Sequence, residues 1–489
     1  MTAFSRASSI ANAPQASRLP ALLICLLLNS TLLSCGPFDP TGSEPETPTA
    51  ERQPMPDFLL GGIQVNEADH DKWFENLKAQ GMNMVQVTEY AKQGDWDSDH
   101  MWWDEEAPYV VKEIRGAKKH GLQVILVLRV ALDHAHERNA FLWHGMIMPK
   151  DEGQLASWFE QYGRFCRKWA EIAEREGVDV LMIGSELNAL ASTLPVKEVP
   201  ALEEYFLNNE KQQQRREEVL AQKQLIEEKN LYLGDRESFE TVEQYLEARI
   251  NNEQTWASQI TEGSGGVEVI NARRSALQDH WVKLIRDLRK VYTGPMGYAA
   301  NFDQYHEVGF WSELDLMGVN AYFQLRTDLL AGVDEQQRND RLYPLLVQGW
   351  ADVLGRIGNF RQEQGLSESP LIFTEMGYTY RRHSTLEPWA DTGFSMIYHP
   401  TTLPDGSQGE PEKHVIVWRE QPDDFQERAL AVRALHEAHS RLENPFLRGI
   451  SYWKLSSHDY HKDVESFMVH VGEDSEDPIL PELRRFLEP

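Results

Sequence analysis

The sequence predicts an α/β protein, a (β/α)8 (TIM) barrel with a mainly helical insertion after its fourth strand. Three observations carry this prediction. Short apolar runs alternate with longer segments of helical period, the pattern of strand–helix repeats around a parallel sheet. Eight such runs occur over about 430 residues, the number and span of a closed barrel. No G-x-G-x-x-G or Walker sequence follows an early strand, as a doubly wound nucleotide-binding sheet would require. With 489 residues, 41% of them hydrophobic, and 14 tryptophans, the chain can bury a large core.

The chain opens with a targeting segment. Arg6 and Arg18 are the only charges before an almost apolar stretch at 21–33, the layout of a secretory signal too short to span a bilayer. It ends Leu32-Leu33-Ser34-Cys35-Gly36, which resembles the bacterial lipobox. That resemblance implies removal of residues 1–34, lipidation of Cys35, and a lipid-anchored place in the bacterial cell envelope, facing away from the cytoplasm. Six prolines among Ser, Thr and Glu make residues 35–57 an extended tether. The folded domain is expected over 58–489.

Strands are expected at 58–63, 83–87, 123–128, 178–183, 296–300, 316–321, 371–374 and 448–453. Between the first three, Trp73, Phe74 and Leu77 line a helical face that stops at Gly81, and Val110, Val111, Ile114 and Ala117 line another that stops at Gly121. Trp158, Tyr162, Cys166, Trp169 and Ala173 form a longer stripe, which makes Cys166 a core residue. Residues 195–270 break the rhythm. They are charged and Gln-rich, polar on all faces, and so are expected to be solvent-exposed decoration or a lid.

Acids outnumber bases 77 to 48, a formal charge of -29, so nucleic-acid binding has no electrostatic support. Only three cysteines occur, which excludes a disulfide framework, and no metal-ligand spacing is present. In a barrel, chemistry sits at the C-terminal ends of the strands. There two apolar strands each end in a carboxylate, V-L-M-I-G-S-E at Glu186 and L-I-F-T-E at Glu375. Facing carboxyls, one protonated and one ionised, can flank a glycosidic bond. Other strand ends supply Gln64, Glu89, Arg129, Asn301, Tyr322 and Trp453, and Trp103 follows the second strand as a sugar platform or a packing residue. Such groups suit sugars, whose hydroxyls need partners and whose C–H faces stack on rings.

The ordered set G-S-E-L at 184–187, Y-A-A-N at 298–301, F-W-S-E-L-D-L-M-G-V-N-A-Y at 310–322, T-E-M-G-Y at 374–378 and Y-W-K at 452–454 resembles glycoside hydrolase family 113, in clan A. The resemblance runs from Gly61 to Trp453 apart from the insertion. It implies that Glu186 is the acid/base and Glu375 the nucleophile of a retaining hydrolase. Tyr322 would then hydrogen-bond the nucleophile, and Trp453 would floor the subsite of the attacked sugar. Family members chiefly cleave β-1,4-linked mannose polymers or oligomers, so an oligo- or polysaccharide is the implied substrate and no cofactor is needed. The acid/base is expected to have the higher pKa of the two. One position departs from the pattern: clan A enzymes commonly carry Asn before the acid/base, and here it is Ser185. Either Asn188 or Asn301 takes over the contact to the sugar 2-hydroxyl, or the sugar is bound differently. A catalytically silent carbohydrate-binding or scaffold barrel, and another β-glycan specificity, are the alternative readings.

Overall fold

In the computed structural model, which describes residues 57–232, 239–262 and 266–488, eight parallel strands close into a barrel. The first half runs β1 (Leu59–Gln64), α1 (His70–Ala79), β2 (Met84–Gln93), a short β3 (Met101–Trp103), α2 (Pro108–Lys119), β4 (Gln123–Leu132), α3 (Glu152–Glu176) and β5 (Val180–Ser185). Then come α4 (Asn188–Ala191), α5 (Ala201–Leu207), α6 (Asn209–Leu220), α7 (Lys223–Glu228), α8 (Val242–Ile260) and α9 (Val267–Leu288). The second half runs β6 (Met296–Asn301), β7 (Leu316–Asn320), α10 (Glu335–Glu363), β8 (Leu371–Met376), a hairpin of β9 (Phe394–His399) and β10 (Glu412–Val417), and α11 (Phe425–Ser440). It ends with β11 (Leu447–Ser456), β12 (Val469–His470) and α12 (Ile479–Arg484). Pairing runs β1–β2–β4–β5–β6–β7–β8–β11 and returns to β1.

All eight expected strands are present. β2 and β4 run past their expected ends at 87 and 128 because they stay paired, Tyr90 with Arg129 through Gln93 with Leu132, and β3 adds antiparallel to β2. Helix ends follow local chemistry. Asp69 and Asp151 cap α1 and α3 by accepting from the backbone N–H three residues on, and Gly177 ends α3 in the left-handed conformation. Cys166 is buried on α3, as expected. At Gly61 a side chain is excluded: a Cβ there would lie 1.8 Å from the Met84 carbonyl oxygen, so β1 and β2 approach closely only because the residue is glycine.

Two apolar layers hold the barrel. Leu59, Met84, Ile125, Val127, Val180, Met182, Leu316 and Ile372 fill its interior, while the alternate residues pack outward on the helices. At the mouth, the fully buried Glu427 of α11 is ion-paired with Arg326 at 2.9 Å and Arg338 at 2.7 Å and accepts from the Thr385 hydroxyl at 2.6 Å. This cluster ties the segments after β7 and β8 to α11.

The insertion is not the polar decoration expected of it. Phe206, Trp256, Ala257 and Ile260 pack into the main core, and the Trp256 indole N–H donates to the Met146 carbonyl at 2.8 Å. Val219, Ile226, Val242 and Leu246 form a second cluster with Met396 of the β9–β10 hairpin. Each fully buried side chain of this size contributes about 1.5–3 kcal/mol relative to exposure, so the segment is held to the barrel. The polar surface had hidden a sparse apolar stripe.

Candidate active site

The interior packing sets which mouth residues face inward. Ile125 and Val127 point in, and so Arg129 does; Leu316 points in, and so Asn320 and Tyr322 do. Glu375 is reached differently. Val319 pairs with Phe373 but Asn320 pairs with Glu375, a register irregularity that turns both Thr374 and Glu375 toward the interior. The Thr374 hydroxyl donates to Asn320 Oδ1 at 2.7 Å.

Glu375 is buried, ion-paired with Arg129 and hydrogen-bonded at Oε2 by the Tyr322 hydroxyl at 2.8 Å. Burial and the charge of Glu186 push the Tyr322 phenol well above its ordinary range, so it stays a donor. Trp453 lies beside this pair, in contact with Tyr322, Ile63 and Phe467, with the Arg129 guanidinium 5.4 Å and the Lys454 ammonium 4.7 Å from its ring centre.

Glu186 follows the end of β5 in the left-handed region, at φ 54°, a conformation costly for a residue with a side chain and persisting only when its surroundings hold it. They do: its N–H donates to the Ala299 carbonyl at 2.9 Å, and the N–H of Leu187 donates to the Tyr298 hydroxyl at 2.8 Å. Its Oε2 lies 3.2 Å from His144 Nε2. Burial raises its carboxyl, but the hydrogen bond and charge of His144, the Arg129 charge and a hydrogen bond from Asn320 outweigh burial, and the net position is below the ordinary glutamate range. This arrangement therefore lowers the Glu186 carboxyl rather than raising it.

Three expected residues lie elsewhere, for one reason. Leu59, Gly61 and Ile63 face into the barrel, so Gln64 faces out, where its amide donates to Glu113 of α2 at 2.9 Å and its oxygen accepts from the Glu67 N–H at 2.6 Å. Burial pushes the Glu113 carboxyl up to about 7. Glu89 has outward parity on β2; burial pushes it up to about 8, with Lys168 of α3 opposing. Trp103 pairs with the outward Ala91, and its ring packs 5.6 Å from Phe165 of α3. It is a packing residue. Ser185 is fully buried and accepts from the Asn320 amide at 3.3 Å. Asn301 is turned back on the chain, accepting from the Phe302 N–H at 2.9 Å. Asn188, the first residue of α4, lines a cavity beside the mouth. The amide nearest the Ser185–Glu186 pair is thus Asn320, from β7. His144 and Asn320 were not singled out from sequence: His144 opens a single 3-10 turn, His144–Met146, in the connection from β4 to α3, and inward parity was the signal for Asn320. Among the described residues no group of three or more His, Cys, Asp or Glu is placed to hold a metal ion.

The family model for Glycoside Hydrolase Family 113 matches residues 63–193 and 241–396, more than half of the chain. The chain belongs to glycoside hydrolase family 113. It is an O-glycoside hydrolase. The family match spans His144, Glu186, Tyr322 and Glu375, leaves residues 194–240 unmatched, and stops before Trp453. Similar solved structures include a GH113 β-1,4-mannanase, TM-score 0.51 at 16% identity, covering 88% of this chain and 98% of that one. Another is the GH113 β-mannanase AaManA from Alicyclobacillus acidocaldarius in complex with ManMIm, TM-score 0.50 at 14% identity, covering 88% of this chain and 96% of that one. At these identities they show the shared barrel. No curated protein matches the chain.

The His144 contact makes a testable statement about pH. An acid must be protonated to work, so the alkaline limb of kcat/KM reports its pKa in the free enzyme. His144 holds Glu186 down, and removing it raises the Glu186 pKa. His144→Ala is expected to move the alkaline limb upward by about one pH unit, the scale of one hydrogen bond to a charged group. A limb that stays put or moves down contradicts the contact.

Proposed function

We propose that this hydrolase cleaves β-1,4-linked mannan or manno-oligosaccharides with retention, by double displacement between Glu375 and Glu186. The observation that carries this reading is the unequal treatment of two buried carboxyls at one barrel mouth. Arg129 and Tyr322 favour an ionised, fixed Glu375, as a nucleophile needs. Glu186 meets the His144 imidazole, the Asn320 amide and the Arg129 charge, contacts that a substrate can replace.

In the first step Glu375 attacks the anomeric carbon of the sugar lying over Trp453, while Glu186 gives its proton to the departing oxygen. That oxygen takes the place of His144 at Oε2, which removes the contact that lowers the Glu186 pKa. In the second step Glu186 accepts a proton from water, the water oxygen bonds to the anomeric carbon, and the ester to Glu375 breaks. Arg129 stabilises the carboxylate as it leaves. No cofactor enters either step. The mannose assignment is supported by the family and by solved relatives whose names are β-1,4-mannanases. Asn320 is the group best placed to take the role of the missing Asn at position 185.

Glu375→Ala should lower kcat by at least about a thousandfold on every substrate, the scale of losing an activated nucleophile. Glu186→Ala should keep attack on aryl glycosides with good leaving groups and regain turnover with azide. Full activity of either variant on mannan would sink the mechanism.

We also propose that Cys35 is acylated and holds the enzyme at the bacterial envelope, outside the cytoplasm. The support is the sequence at 32–36 and the tether that follows; Cys35 lies outside the described residues. Cys35→Ala should shift the protein to the aqueous phase on detergent partitioning. Retention with the membrane as firm as the parent's would refute the anchor.

A further inference from the structure

A cavity of about 570 Å³, of the size that holds a small ligand, lies between the insertion and the segments that follow β4, β5, β6 and β8. Segments that follow barrel strands lie on the mouth side of the fold. The described residues that line the cavity include neither Glu186 nor Glu375, and neither His144 nor Arg129, so it stands apart from the groups that would break a glycosidic bond.

Four polar atoms on this lining are buried and have no hydrogen-bond partner among the described residues: Arg273 Nη1, Trp389 Nε1, Asn188 Oδ1 and Gln304 Oε1. Buried polar atoms are paired almost everywhere in native proteins, so four unpaired atoms in one cavity call for an occupant. Two are donors and two are acceptors, and a hydroxylated ring supplies partners for both kinds. In the same wall Phe302 and Trp389 stack, with ring centres 5.2 Å apart and planes at 10°, the kind of flat aromatic surface that the C–H face of a sugar covers.

Arg273 decides the charge of that occupant. Five arginines line the cavity, and four of them are paired: Arg274 with Glu307 at 2.6 Å, Arg249 with Glu253 at 2.9 Å, Arg216 with Glu247 at 2.9 Å and Arg215 with Glu218 at 3.5 Å. Arg273 has no such partner. Burial pushes its guanidinium below the ordinary arginine range, and the charge of Glu262 only partly offsets this. A guanidinium keeps its charge at any working pH, so a desolvated one needs an anion, and a carboxylate matches its planar fork. Glu203 shares the lining, but burial pushes its carboxyl up to about 7, so in mildly acidic solution it is neutral and does not repel an anion. The wall that carries Glu203 lies within residues 194–240, which the family model leaves unmatched.

We propose that this cavity binds a carboxylate-bearing sugar, a hexuronate unit, with the carboxylate on Arg273 and the hydroxyls on Asn188, Gln304 and Trp389. It is a second binding site, beside the one where the glycosidic bond breaks, and it gives the enzyme a preference for glycans that carry uronate residues. The proposal does not rest on the roles assigned to Glu186 and Glu375.

Calorimetry on the full chain, on the acidic side of the Glu203 titration, tests it with methyl β-D-mannosiduronate, methyl β-D-mannoside and acetate. A charge-assisted pair should favour the uronate over the neutral glycoside by about tenfold or more. Arg273→Gln should remove that preference and leave binding of the neutral glycoside unchanged, while Arg273→Lys, which keeps the charge but not the fork, should retain part of it. Because Arg273 pairs with nothing in the chain, Arg273→Gln should melt at or above the parent's Tm, and the uronate should raise the Tm of the parent but not of the variant. No preference for the uronate in the parent overturns the proposal, and so does a preference that persists in Arg273→Gln. Acetate that binds as tightly as the uronate overturns the sugar assignment. A variant that fails to fold, or melts well below the parent, overturns the unpaired state of Arg273 from which the site is argued. None of these outcomes bears on the double displacement, which the Glu375 and Glu186 variants test.

Discussion

Side-chain alternation along eight strands, locked by the packing inside the barrel, decides which regular strand residues reach its mouth. Once Leu59, Met84, Ile125, Val180, Leu316 and Ile372 share the interior, every other residue on each strand is committed. That commitment delivers Arg129, Asn320 and Tyr322 to the centre and sends Gln64, Glu89 and Trp103 into the helix layer. A slip of one residue would exchange the sets, so the apolar interior and the polar site are specified together.

Both key carboxylates sit where this regularity fails. Glu375 is turned inward by a register irregularity between β7 and β8, and Glu186 follows another between β5 and β6 and adopts a left-handed backbone. Irregular backbone is unfavourable and persists only when its neighbours hold it, as Ala299 and Tyr298 do at Glu186. The result is an asymmetric pair. Arg129 is bound to Glu375 and only felt at Glu186, which instead meets His144 and Asn320. Two carboxyls in one site are driven to different roles by such differences in their neighbours.

The fold was legible because most strands are short, largely apolar runs separated by segments of helical period, and that signal is local. Glu186 and Glu375 were legible for the same reason, as lone carboxylates closing apolar strands. What sequence position could not supply was direction: Gln64, Glu89 and Trp103 stand at strand ends as Arg129 does, and only the pleat separates them. His144 was invisible because a single 3-10 turn of three residues is too short to show a period. The insertion was misjudged because its apolar residues, such as Val219, Val242 and Leu246, are few and widely spaced. They become a face only against Met396, which comes from a hairpin far along the chain.

The central claim is that Glu375 bonds to the anomeric carbon. Reaction with an activated 2-deoxy-2-fluoro-mannosyl fluoride, followed by intact-mass and peptide analysis, tests it most directly. The electronegative fluorine slows release of the ester more than its formation, so the intermediate accumulates. The account predicts one sugar per chain, attached to Glu375, and none on Glu375→Ala. A label on another residue, or no label from an enzyme whose product has the inverted anomeric configuration, would contradict it.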